Sequence, residues 1–388
     1  MLAMIRKEFR ELRRDRRTMA MLIALPIILL VVFGYAANFS VSSIRTDVYG
    51  DQATSVASLL QSPFDSDVVD PSGTTTDAKD ALRDNDADVA IVADSGEQPV
   101  AYVNGSELFV AQTAVGGLNA ANAKIAAAVP GGASQTGNGT GDSSASPGIE
   151  IDVLYNPDLE TSWVMVPALV GLILAFIGTI ITSLGLVRER QEGTLEQLAV
   201  MPFRPSDVIA GKITPYFVVA SLDMIVVTVL GIVLFGVPFN GNVAVFALGA
   251  VIFLLVVLGI GVLISTMSQN QGQAIQMALM LLLPQILLSG MIFPLSSMPW
   301  GVRWIGYLLP LTYFISISQG IMLRAAPLSS LWPSFVILGV MAVAVFGAAI
   351  LRFRRDLAPS VSRDEHATSE TPDDDPPPEP ATPFAAGR

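Results

Sequence analysis

The chain has 388 residues, 52% of them hydrophobic and only 14% charged, with 22 Lys and Arg against 34 Asp and Glu for a net charge of −12. Cysteine is absent, which excludes a disulfide framework and thiol chemistry. The basic clusters lie beside apolar runs and read as lipid headgroup contacts, which sets aside a nucleic-acid role.

A bilayer core of about 30 Å needs roughly 20 apolar residues in helical conformation. Six runs qualify: 19–39, 162–186, 213–237, 243–267, 274–293 and 332–351. They are apolar all round, where a large soluble core would interrupt them with polar faces. The expected fold class is an all-α polytopic membrane protein with six transmembrane helices and an inserted α/β domain.

In chain order, residues 1–18 come first. Leu2, Ile5, Phe9 and Leu12 share one helical face among seven basic side chains, the pattern of an interfacial helix on the cytoplasmic leaflet. The run at 19–39 is expected to remain as the first span, because a long basic segment precedes it and no small-x-small cleavage site follows. Segment 40–161 alternates short pieces. Strands are expected near 46–49, 88–93, 100–103 and 150–154, and helices near 55–61, 75–84 and 107–129. Together they predict a small extracytoplasmic α/β domain with a flexible Gly/Ser-rich linker at 130–148. Asn104-Gly-Ser and Asn138-Gly-Thr match the glycan acceptor pattern, which arises often by chance.

Orientation follows from Lys and Arg. The 187–212 loop holds four basic residues and Arg352, Arg354 and Arg355 follow the last run, whereas 40–162 holds four against 18 acidic. Both termini and the 187–212 loop are therefore placed inside, and 40–161 outside.

That inner loop, VRERQEGTLEQLAVMPFRP, is too charged and too helical for a mere turn. Arg188, Glu189, Arg190, Glu192 and Glu196 surround an apolar spine of Leu195, Leu198 and Val200, a surface suited to pressing against a cytoplasmic partner. No GxxxxGK[ST] phosphate loop occurs in the chain, so nucleotide would bind elsewhere.

Several spans carry polar residues. Asp223 lies ten residues into the third run, where a carboxylate serves a substrate or proton path or packs helices with Ser221 and Thr228 nearby. Gln269, Asn270, Gln271, Gln273 and Gln276 open the fifth run, which then meets Pro284-Gln285; such amides bind ligand or, more often, neighbouring helices. From 288 to 331, Ser289-Gly290, Pro294, Pro299 and Pro310 break the chain into pieces too short to cross. Trp300, Arg303, Trp304 and Tyr307 suit an interfacial helix, and 311–323 a half-helix dipping back into the membrane. A re-entrant segment at about 294–330, roofing a cavity with an outer gate, is expected, since irregular backbone at that depth needs a protein cover.

The basic start, RERQEGTLEQLAVMP, FGVPFNGN and the block LLSGMIFPLSSMPW…LLPLTYFISISQGI…LRFRRDL together resemble the ABC-2 type (type V) ABC transporter permeases. The likeness is to the subgroup with a large insert after the first span, and it covers most of 1–357, weakening in the insert. The resemblance implies a coupling helix at about 189–200 with Arg188, Glu189, Glu192, Gly193, Thr194, Leu195 and Glu196 meeting the ATPase. It implies a second permease copy, forming a homodimer, and two copies of a cytoplasmic ATP-binding subunit. ATP and Mg are expected on that subunit, with no cofactor on this chain. Asp223, Gln285, Ser289, Gly290, Pro294, Pro310 and Gln319 are the candidate cavity or gate residues; many relatives carry a basic residue where this chain has Gln319. The expected function is export of a hydrophobic drug, lipid or lipid-linked molecule. A gradient-driven secondary transporter would show inverted repeats and buried charge pairs. A membrane-anchored scaffold would work without the 187–205 segment. Residues 358–388, with DDDPPPEP, are too acidic and Pro-rich to fold and form a cytoplasmic tail.

Overall fold

A computed structural model describes residues 41, 43–128, 148–192 and 205–357. The expected interfacial helix, the first span, residues 130–147 of the linker, residues 193–200 of the coupling helix and the acidic tail lie outside the described residues.

Residues 43–154 form a five-stranded sheet, β1 (Ile44–Tyr49), β2 (Phe64–Asp70), β3 (Val89–Val92), β4 (Val100–Asn104) and β5 (Glu150–Leu154), in the order β2-β1-β3-β4-β5. β1 runs parallel to β2 and β3, β4 runs antiparallel to β3, and β5 is parallel to β4. Central β3, Val-Ala-Ile-Val, is buried on both faces, as a strand covered by helices on either side must be. Val89 and Ile91 pack against α1 (Ala53–Leu59) and α3 (Leu108–Ala128), while Ala90 and Val92 pack against α2 (Thr75–Asp84).

Two departures from the expected elements have a physical cause. β2 was not expected at all, because Phe-Asp-Ser-Asp-Val-Val-Asp contains three Asp, a residue depleted in strands. It pairs only with β1 and exposes most of its side chains; charges on such an edge discourage pairing with another chain. The helix expected at 55–61 begins and ends two residues earlier. By contrast α2 has the expected bounds. The amide and hydroxyl of Thr74 both donate to Asp77 Oδ2, at 2.8 and 2.7 Å, and Asn85 closes the helix at φ +66°.

The remainder is helical: α4 (Thr161–Gln191), α5 (Pro205–Phe235), α6 (Val243–Met267), α7 (Gln271–Leu288), α8 (Trp300–Tyr307), α9 (Pro310–Met322) and α10 (Leu328–Leu357). Among the described residues five of these, α4, α5, α6, α7 and α10, are long and apolar enough to cross a membrane. α8 and α9 meet at a bend of 77° and would make a sixth crossing only if counted as one broken span. The chain is a polytopic membrane protein.

α6 is the axis of the bundle, packed between α4 and α10 with Phe253, Leu254, Val257 and Leu258 fully enclosed. The fully buried Phe314 of α9 stacks on Phe253 at 4.5 Å. The FGVPFNGN turn between α5 and α6 clasps the end of α9. The backbone N–H of Asn240 donates to Met322 O and its side chain to Leu323 O, both at 3.0 Å. A Cβ on Gly241 would stand 2.5 Å from Ile321 O, so only glycine fits there. Asn242 then caps α6, accepting from the amides of Ala244 and Val245 at 2.8 and 3.3 Å.

The α/β layer is fastened to the bundle. Leu108 joins the bundle core, and Phe109 stacks on Phe293 with centroids 5.9 Å apart.

Candidate functional site

The broken segment after α7 creates the cavity. Gly290 takes φ +90°, a conformation that glycine adopts freely, and turns the chain out of α7 into the 3-10 turn Leu295–Ser297. Pro299 and Pro310 each precede or open a helix, where a missing N–H costs nothing. Between this segment, the start of α4 and the base of the α/β layer lies a cavity of about 470 Å³.

Of the candidate gate residues, Ser289, Gly290, Pro294 and Gln319 line this cavity together. Pro310, Gln285 and Asp223 do not. Pro310 is buried at the first turn of α9. Gln285 is 2% exposed and its Oε1 has no partner. Asp223 is half-buried on α5, and the hydroxyls of Ser221 and Thr228 on the same helix are buried without partners.

Gln319 has a definite partner. Pro167 lies inside α4 and has no N–H to donate to the carbonyl four residues earlier. Gln319 Nε2 donates to Val164 O at 3.0 Å and Ser318 Oγ to Pro167 O at 3.2 Å. The side chain therefore joins α9 to α4 at the cavity wall.

Sequence reasoning missed Arg324, just past α9. It is 4% exposed, lines the cavity, and donates through Nε to Arg83 O at 3.2 Å and through Nη1 to Ser106 Oγ at 2.8 Å. Ser106 is held in turn by Asn104, whose Oδ1 accepts from the Ser106 hydroxyl at 2.6 Å and amide at 3.1 Å. The glycan pattern at Asn104 is thereby overturned as an acceptor: the side chain is 1% exposed and its amide donates to Asn85 Oδ1 at 3.0 Å. An Arg within an apolar stretch, GIMLRAAP, was the available signal.

The electrostatics of this wall are set by few groups. Arg45 pairs with Asp88 at 2.6 Å and donates to the carbonyls of Asn85 and Asp86. Burial, aided by Asp88, pushes the Glu107 carboxyl above the ordinary carboxylate range, against the pull of Arg45, Arg324 and a 3.4 Å hydrogen bond from Asn85. On the opposite side, Arg303 of α8 donates to Ser296 O, and its Nε is buried without a partner. Trp300, Trp304 and Tyr307 of the same helix are exposed. A second cavity, of about 310 Å³ between α4 and α7, is lined only by apolar residues such as Phe176 and Leu283.

Of the amides that open α7, two cap its first turn and one reaches a neighbouring helix. Asn270 Oδ1 accepts from Gln273 N at 2.9 Å, and Gln273 Oε1 from Gln269 N at 2.8 Å. Gln271 reaches Gln191 of α4 at 3.2 Å.

At the other end of α4, beyond the apolar run, Arg188 Nε donates to Glu192 Oε1 at 2.9 Å, one turn on. Glu189 lies between them on the last turns of α4. Gly193, Thr194, Leu195 and Glu196 lie outside the described residues.

Comparison with known proteins gives a consistent answer. Over 363 residues, 90% of this chain and 96% of the relative, the chain is 29% identical to "Probable multidrug ABC transporter permease YbhS" of Escherichia coli K12. Over 201 residues it is 36% identical to "Probable multidrug ABC transporter permease YbhR" of the same organism, a match spanning 52% of this chain and 55% of YbhR. It is 33% identical over 217 residues to "Inner membrane transport permease YhhJ", spanning 54% of this chain and 56% of that protein. Residues 16–351 match the family described as ABC-2 family transporter protein, and the chain, with its polytopic bundle and broken segment, belongs to that family.

Proposed function

We propose that this chain is the membrane-spanning subunit of an ATP-driven exporter, forming the path while a separate cytoplasmic subunit hydrolyses ATP. The observation that carries this reading, beside the family itself, is the run of α4. One helix starts at Thr161, lines the cavity with Val164 and Met165, leaves its apolar stretch and ends at Gln191 in charged turns joined by the Arg188–Glu192 pair. A motion imposed at 189–200 would be delivered along one continuous helix about 45 Å long, at 1.5 Å per residue over its 31 residues, to its first turns, where Pro167 follows the cavity-lining Val164 and Met165.

Coupling of this kind needs contacts that differ between two states of the partner. Glu192, Gly193, Thr194, Leu195 and Glu196 are assigned to that contact, with Leu195 as the apolar anchor and the carboxylates as its charged rim. Two ATP-binding subunits, which hold ATP and Mg, would engage two copies of this chain. The largely exposed face of α5, with Val219, Leu222, Val226 and Val233, suits lipid or the second copy, and Asp223 on that helix is assigned to the path at the copy–copy boundary. The termini are placed in the cytoplasm and residues 40–161 outside. The cargo is read as hydrophobic, in keeping with the apolar groove beside α4 and with the multidrug names of YbhR and YbhS.

The test is ATP-dependent transport in inverted membrane vesicles with the ATP-binding subunit coexpressed. Leu195→Arg is expected to lower transport at least tenfold while membrane insertion stays normal. Full transport by that variant would remove the lever from the mechanism.

A further inference from the structure

We propose that the cavity between the α/β layer and the helix bundle binds an anionic amphiphile, its acidic head held by Arg303 and Arg324 and its tail laid on the apolar wall. This deepens the permease reading and rests on it for the idea that the bound molecule is cargo.

The volume, about 470 Å³, falls within the range of roughly 300–1,000 Å³ typical of small-molecule sites. Among the described residues three guanidinium groups line it, Arg45, Arg303 and Arg324, against the single carboxylate of Glu107. Arg45 is engaged by Asp88 and two carbonyls. The other two have donors to spare. Arg324 uses Nε and Nη1 on Arg83 O and Ser106 Oγ, leaving Nη2 without a protein acceptor among the described residues. Arg303 Nε is buried with no acceptor. Ser289 Oγ, on a residue only 1% exposed, is likewise buried and unpartnered in the same wall.

Buried donors without acceptors are rare in folded proteins and ask for an explanation. Here two buried donors, Arg303 Nε and Ser289 Oγ, stand in the wall of one cavity beside the Arg324 guanidinium, and the carboxylate in that wall, Glu107, is pushed toward its neutral form by burial. A carboxylate, phosphate or sulfate head supplies the acceptors such donors lack, and planar guanidinium groups match such oxyanions in geometry.

The rest of the lining calls for a tail. Leu108, Phe109, Val164, Met165, Ile292 and Ile315 border the same space, and a free inorganic anion would leave that surface uncovered. The exposed Trp300 and Trp304 on the adjoining helix are side chains favoured at headgroup depth, where amphiphiles with a charged end concentrate.

Calorimetric titration of the full chain in dodecyl maltoside separates the possibilities. Dodecyl phosphate is expected to bind saturably, once per chain. Arg303→Gln should weaken that binding about tenfold, and Ser316→Phe, which fills the cavity from α9, should abolish it. Arg303 has one protein hydrogen bond, so Arg303→Gln decides the matter if the Phe variant fails to fold. Dodecyltrimethylammonium, with the same tail and opposite charge, should not compete. The proposal is overturned if that cation or inorganic phosphate binds as tightly, or if Arg303→Gln binds like the parent. No nucleotide is involved, so the two readings fail separately: Leu195→Arg should keep full dodecyl phosphate binding, and loss of the site with ATP-dependent transport intact rejects the cavity alone.

Discussion

The two parts of this molecule are fastened by different forces. In residues 43–154 charged and amide side chains pair with one another, Arg45 with Asp88 and Asn104 with Asn85 between elements, and Arg83 with Asp80 and Asp84 and Asn104 with Ser106 locally. In the bundle the hydroxyls turn back on their own helices, Ser183 to Ile180 O, Ser265 to Val262 O and Thr266 to Leu263 O, each at 3.0 Å or less. Helices surrounded by hydrocarbon must satisfy polar groups internally. The contrast extends to what is left over. Among the described residues every buried side-chain donor or acceptor without a partner lies beyond residue 181, in the helical part, and none lies in the α/β layer. A domain surrounded by water can fill each such need; a bundle tolerates a few, and those that gather at one cavity are the ones with a use.

This difference can be broken from either side. The largest effect is expected from Phe314→Ala, which removes a fully buried ring stacked between α9 and α6. Such truncations cost about 4 kcal/mol when the cavity cannot collapse. All four tryptophans, at 163, 300, 304 and 332, lie in the helical part. Tryptophan-detected unfolding should therefore shift strongly while circular dichroism of the sheet changes later. Arg324→Met comes next. It strips Ser106 and the Arg83 carbonyl of a donor and removes one of the two positive charges, after Arg45, that favour an ionised Glu107, at a cost on the order of 3 kcal/mol. Added to Glu107→Gln it should cost less, and a double-mutant cycle on the unfolding free energy measures the coupling. Additive costs would mean that the two groups do not sense each other.

What the sequence made legible was what local chemistry decides. The apolar runs, the helix at 75–84, and the breaks at Gly290 and Pro310 all depend on residues within a few positions of themselves. β2 escaped because its residues disfavour a strand and only the partner β1 makes it one. Arg324 escaped for a related reason. An arginine after an apolar half-helix reads as a charge at the membrane edge, and its acceptors stand 218 and 241 residues away in the chain. Gln319 was read as a missing charge, whereas its amide meets the Val164 carbonyl on another helix. Pairings set by tertiary structure leave no local pattern to read.

The smallest expected effect sharpens the comparison at the seam. Burial raises the Glu107 carboxyl above its ordinary range, so the fold holds its proton more tightly than the unfolded chain does. The stability this contributes is present in full below the ordinary Glu value of about 4.3 and is lost as pH rises through the raised value in the folded state. Asp70 and Asp77 act in the opposite sense. The Ser72 hydroxyl and amide lower the first, and the Thr74 hydroxyl and amide lower the second, so their contribution is present above about 3.9 and is lost as pH falls through their lowered values. Melting curves of the full chain from mildly acidic to neutral pH should therefore show a downward slope that Glu107→Gln flattens. Asp77→Asn should leave that slope alone and change only the behaviour below pH 4. An unchanged slope in Glu107→Gln would mean that the seam is wet enough to ionise this carboxyl freely, and the cavity would then present a full negative charge to any anionic guest.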